Sequence, residues 1–217
     1  MYAGLTSTPR TVGFEADKNA HTVTAYIVVA GDLRDNPQLE LALEPVAELC
    51  GAVEVNNSTG TAVAITDFPI LAGPRDGQTT GRVDRGFCGF NLPDVRVDEA
   101  VLRLHQTSVS GTPYVNGDVL IVDDLRYGPT IEVGDYDLAP VQADIGVLSV
   151  DATLGFKTLD VTGAVRNALE NGHTTAEFRV RFRQDAGVGR AILDGLKDFD
   201  GNPSVNPPRL LLKYRLK

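Results

Sequence analysis

Tryptophan is absent from this 217-residue chain, and it holds only two cysteines and three histidines. Each scarcity excludes something. Without indole rings, any stacking on flat ligands is left to six tyrosines and eight phenylalanines, several of which the strand pattern assigns to a core. Cys50 and Cys88 are too few for a disulfide framework and lack metal-type spacing. They can pair across the fold in an oxidising compartment or stay as two buried thiols, and both readings remain open.

Long apolar runs are missing too: no stretch approaches the ~20 residues a spanning helix needs. The start MYAGLTSTPRTVGFEADKN has neither the basic nor the apolar region of a leader, so the expectation is a chain without a signal peptide in this numbering or with a processed start. There is no G-x-S-x-G elbow, no H-E-x-x-H pair and no glycine loop of the kind that cradles phosphate. His21, His105 and His173 belong to no catalytic constellation, and His105 is expected on the polar side of its strand. The chain therefore reads as a non-enzyme, a reading that only carboxylates paired in space, as in polysaccharide-acting enzymes, would reverse.

What is present is an acidic, turn-rich composition. The 29 acidic against 20 basic residues give a net charge of −9, which repels phosphate backbones and anionic membranes, so neither nucleic acid nor membrane insertion is expected. The 22 glycines and 12 prolines, without low-complexity runs, point to many turns rather than disorder.

The strongest periodicity lies in the second half. Phe178, Val180 and Phe182 alternate with Arg179, Arg181 and Arg183, and Leu210, Leu212, Tyr214 and Leu216 with Arg209, Lys213, Arg215 and Lys217. Ala100, Leu102 and Leu104 form a third inward row opposite Val101, Arg103 and His105, and the run from 119 to 122 suits a more buried strand. Phe90 with Leu92, and residues 62–65, add weaker strands. One helix is expected around Val161, Val165, Ala168 and Leu169, capped by Asp160 or Thr162 and stopped at Gly172. In the N-terminal part a strand at 22–30, a turn at 32–37 and the run QLELALEPVAELCGAVEV, broken by Pro45, read as an added segment. The expected architecture is all-β: a jelly-roll-like antiparallel β-sandwich over 56–217, with one short helix and an N-terminal extension over 1–55.

From about residue 81 onward, the ordered segments GRVDRGFCGFNLP, EAVLRLHQTSVSG, GDVLIVDDLRYG, KTLDVTGAVRNALENG, AEFRVRF and PPRLLLKY resemble the DNRLRE-type β-sandwich modules, a group related to the family 96 carbohydrate-binding modules. The resemblance implies an extracellular or surface-displayed jelly roll, with some members binding polysaccharide or calcium. The chain departs from it in lacking tryptophan, the aromatic-rich middle of many members and the motif that names the family.

Three groups of polar residues are candidate sites. If their strands share a sheet, Arg179, Arg181 and Arg183 with Lys213 and Arg215 make a positive face suited to an acidic partner or an anionic polysaccharide, the alternative being a solvated face with gatekeeping charges. Asp198, Asp200 and Asn202 alternate as calcium ligands do, without the EF-hand glycine and glutamate, and an Asx-rich turn explains them as well; no cofactor is required, and calcium is the one considered. Asp123, Asp124, Asp135 and Asp137 form a second acidic cluster, which reads as a solvated loop edge in preference to a metal site. The stretch 56–59 carries overlapping N-glycosylation patterns in what is equally a polar turn. The expected function is a structural or interaction protein of an extracellular, cell-surface or virion-type assembly. It would contact copies of itself or another surface protein through the N-terminal segment and the basic face. The alternative is a carbohydrate-binding module for an anionic polysaccharide, calcium-assisted or not.

Overall fold

The computed structural model describes residues 36–75 and 81–217, and the expected strand at 22–30 lies outside the described residues. The chain divides at residue 35, and residues 36–217 form one unit. The described residues form twelve strands: β1 (Leu39–Leu43), β2 (Pro45–Asn56), β3 (Thr61–Thr66), β4 (Ile70–Pro74), β5 (Arg82–Asn91), β6 (Arg96–Thr112), β7 (Leu120–Leu125), β8 (Gln142–Ser149), β9 (Gly155–Asp160), β10 (Thr175–Phe182), β11 (Val188–Leu193) and β12 (Arg209–Arg215). Among the described residues there is one α-helix, α1 (Thr162–Glu170).

All pairings are antiparallel. In sheet A, β1 pairs with β12, β12 and β11 pair with successive parts of the long β6, β9 pairs with β6, and β4 pairs with β11. Sheet B runs β3–β2–β5–β10–β7–β8. The two join where Gly73 and Pro74 of β4 pair with Asp84 and Val83 of β5, giving one curled sheet folded into a sandwich-like all-β fold.

The two-residue rhythm builds the interior. Phe178, Val180 and Phe182 from β10 meet Leu102 and Leu104 from β6 and Leu210 and Leu212 from β12, all buried in one apolar cluster. Leu216, expected to extend the row, lies beyond β12 and is exposed, because the strand ends at Arg215. A second cluster (Leu49, Val53, Phe87, Leu125, Tyr127, Ile131, Tyr136) includes residues of the β7–β8 connection and of sheet B, among them Phe87, which alternates with inward Cys88. Sheet B is thus covered on both sides, which is why every residue of β7 is buried and no alternation shows there.

Helix α1 forms where expected, with Val161 rather than Asp160 or Thr162 at the N-cap position: Val165 and Ala168 are buried, Asp160 accepts the Thr162 N–H at 2.9 Å, and Gly172 follows in the left-handed region at φ 75°. Arg166 moors it to β6 by donating to the Val97 and Asp98 carbonyls. Among the described residues, no helix is long and apolar enough to cross a membrane.

The boundary expected at residue 55 needs correction. Residues 39–56 are β1 and β2, strands of the sandwich itself, one in each sheet. Proline has no N–H to extend a ladder, and β2 begins at Pro45 where the chain leaves sheet A. A register shift between Pro45 and Cys50 breaks the two-residue rhythm, so the strand does not show in the sequence pattern.

Candidate functional site

The two basic rows are not on one face. Arg179, Arg181 and Arg183 lie on or just after β10 in sheet B, whereas Lys213 and Arg215 lie on β12 in sheet A, so the shared positive face expected from the sequence is not formed. The fold sets the strands in different layers, an arrangement that alternation alone does not specify.

On sheet B the arginines hold the molecule together. Asp123, fully buried on β7, accepts from Arg179 Nε and Nη2 at 3.0 and 2.8 Å and from Arg181 Nε at 2.7 Å, and it also receives the Asp144 N–H at 2.8 Å. Burial pushes the Asp123 carboxyl up, but the hydrogen bonds from Arg181, Asp144 and Arg179 outweigh it and hold the pKa below the ordinary aspartate value. Arg179 Nη1 also donates to the Tyr136 and Leu138 carbonyls at 3.0 and 2.9 Å, tying down the β7–β8 connection. Arg183 forks onto Asp144 at 2.7 and 3.0 Å.

The four aspartates read as a solvated edge divide. Asp123, Asp124 and Asp135 are buried and only Asp137 is exposed, because the β7–β8 connection folds back over its own strand. Asp135 instead caps its 3-10 turn by accepting the Glu132 N–H at 2.6 Å.

The loop read as either an Asx-rich turn or a calcium site bonds to itself. Asp198 Oδ1 accepts the N–H groups of Asp200 and Asn202 at 2.9 Å each, and Oδ2 accepts from the Asn202 amide at 3.3 Å. These bonds, the Asn202 N–H foremost, lower the Asp198 pKa. This is an Asx turn. Among the described residues, no cluster of three or more His, Cys, Asp or Glu side chains is arranged to hold a metal ion.

Sheet A carries what the sequence reading missed. On β12, Lys213 binds Glu99 at 2.7 Å and Arg215 binds Asp98 at 2.8 Å, pairs that cross to β6. Farther along, His105 on β6 stands directly opposite Phe156 on β9, with ring centroids 4.9 Å apart. Phe156 is 52% exposed, and the Arg103 guanidinium lies 4.9 Å from its ring centre. His105 Nδ1 meets Asp194 at 2.9 Å. Arg103 faces Arg209 across the ladder, and its buried Nε has no hydrogen-bond partner. The result is a half-exposed aromatic ring with a guanidinium and an imidazole beside it. The sequence signal for it was the outward row of Arg103 and His105; what β9 would place beside that row was not legible.

At the other end of sheet A, β1 is an edge among the described residues. Among the described residues it pairs only with β12, and Leu39 and Leu41 are 37% and 36% exposed. Beside it runs a groove of about 330 Å³ lined by Leu41, Val101 and Leu211 with Glu40, Glu99 and Lys213. Compared with known proteins, the chain matches no family model and no curated sequence.

Proposed function

We propose that the chain is a non-catalytic structural or interaction protein of an extracellular, cell-surface or virion-type assembly, meeting its neighbours through the edge and outer face of sheet A. The observation that carries this reading is β1, which among the described residues is an edge strand with exposed leucines beside a largely apolar groove. Such an edge offers backbone N–H and C=O groups to an added strand, and exposed apolar side chains strengthen the attraction. The occupant is a second copy of the chain, whose residues 22–30 carry a strand-like sequence. The non-catalytic part is supported by how the ionisable groups of sheet B are used: they bond to one another and to backbone, fixing the fold. Light scattering on the full chain tests it. Oligomers that revert to monomers in Leu41→Asp and after deletion of residues 1–35 are expected; a full chain that stays monomeric up to high concentration contradicts the reading.

A second reading, a carbohydrate-binding module for an anionic polysaccharide, draws support from Phe156 with Arg103 and His105 beside it. A glycan array with and without calcium tests it. Binding lost in Phe156→Ala favours the module, and an array without hits removes it.

A further inference from the structure

Cys50 and Cys88 face each other directly across β2 and β5. Residues opposed in an antiparallel ladder have Cα atoms roughly 4.5–5.5 Å apart, inside the ~4.4–6.8 Å that a disulfide spans. Both side chains are fully buried in the main apolar cluster, and their sulfurs lie 3.7 Å apart. No other described cysteine competes for either. We propose that Cys50 and Cys88 form an intramolecular cross-strand disulfide when the chain folds in the presence of a small-molecule disulfide such as oxidised glutathione.

The chemistry is two successive exchanges. One protein thiolate attacks a glutathione sulfur, its S–S bond breaks, and one glutathione thiolate leaves and takes up a proton. The second protein thiolate then attacks the protein sulfur of the mixed disulfide and expels the other glutathione. Two protein thiols are oxidised by one electron each, and one glutathione disulfide is reduced to two thiols.

The surroundings set when this occurs. Neither sulfur is accessible in the folded sandwich, and burial pushes the Cys88 thiol well above its ordinary value, so the reactive thiolate is scarce once the core has closed. Exchange therefore belongs to folding. The same burial then shields the finished bond from reductant. The cysteines are 38 positions apart, so the bond removes considerable freedom from the unfolded chain. By the loop-entropy relation it raises the folded-to-unfolded ratio by roughly 10²–10³-fold.

The test is refolding of the denatured full chain with a mixture of reduced and oxidised glutathione, followed by alkylation under denaturing conditions and intact-mass measurement. The expected product carries no alkyl group and is two hydrogens lighter than the reduced chain, and the folded product keeps its bond in dithiothreitol until denaturant is added. Two alkylated cysteines after refolding would overturn the proposal, as would a cysteine-linked dimer. The Cys50→Ala/Cys88→Ala double variant controls for stability: the oxidised wild type should melt higher than its reduced form, by on the order of 10 °C, while the variant shows no dependence on redox conditions. Equal melting of oxidised and reduced wild type would also count against it.

Discussion

Asp123 on β7 and Arg179 on β10 stand directly opposite each other and form an ion pair at 2.8 Å, with side chains 0% and 5% exposed. The pair is a fastening, because Arg179 also reaches the carbonyls of the β7–β8 connection and Asp123 also binds Arg181 and the Asp144 N–H. Breaking one side leaves a buried charge alone, which costs more than the pair itself contributes.

Asp123→Asn is therefore expected to destabilise the fold by about 3–5 kcal/mol in urea denaturation. Adding Arg179→Met should recover part of that loss, since the stranded guanidinium is gone. A double variant whose loss equals the sum of the two single losses would show that the pair is not coupled.

Asp185 makes the opposite pH prediction. Burial raises its pKa, although Arg85 opposes the shift, and one of its carboxylate oxygens is buried without a hydrogen-bond partner. A folded pKa above the unfolded value of ~3.9 means that ionisation at neutral pH costs stability, a cost relieved as pH falls through the folded pKa. Its φ of 50° suits asparagine as well. Asp185→Asn is expected to be more stable than wild type at pH 7, with the difference vanishing once the pH lies below the unfolded aspartate value of ~3.9. Thermal melts at the two pH values check it. Asp123 has the reverse sign: its pKa is lowered, so its contribution is present above the unfolded value and is lost as pH falls through the folded one.

Gly189 has φ 113°, and a Cβ there would sit 1.9 Å from the Ser110 carbonyl oxygen on the paired strand β6. Gly189→Ala is expected to cost about 1–3 kcal/mol from the backbone conformation alone and more from the clash. Denaturant unfolding with an unchanged midpoint would show that β6 and β11 do not approach as described.

Phe156 should matter to binding and hardly to folding. Half its ring is in solvent, so Phe156→Ala is expected to change stability by within about 1 kcal/mol. A larger loss in calorimetry would make the ring part of the scaffold.

How much of this was legible follows from the physics of each segment. Phe178, Val180 and Phe182 separate one buried and one wetter side, and a period of two is enough to show it. Arg179 shows the limit: alternation puts it on the outer side of β10 but says nothing of the connection that covers that side, so a surface arginine and a buried fastening look alike. β7 was legible only as an apolar run, and Asp123 seemed solvated because its arginine partners lie 56 and 58 positions away. Phe156 stood unnoticed because β9 is short and its neighbour His105 is far along the chain. Residues 39–56 were read as an extension because Pro45 and the irregular pairing after it interrupt the rhythm.

In the proposed assembly, β1 of sheet A is the contact between copies. Hydrogen exchange of the full chain, measured at low and high protein concentration, tests this directly. Backbone amides of residues 39–43 should gain protection as concentration rises, while those of β3, an outer strand of sheet B, stay unchanged. Protection at β3 instead, or none at β1 under conditions where oligomers are present, would contradict it.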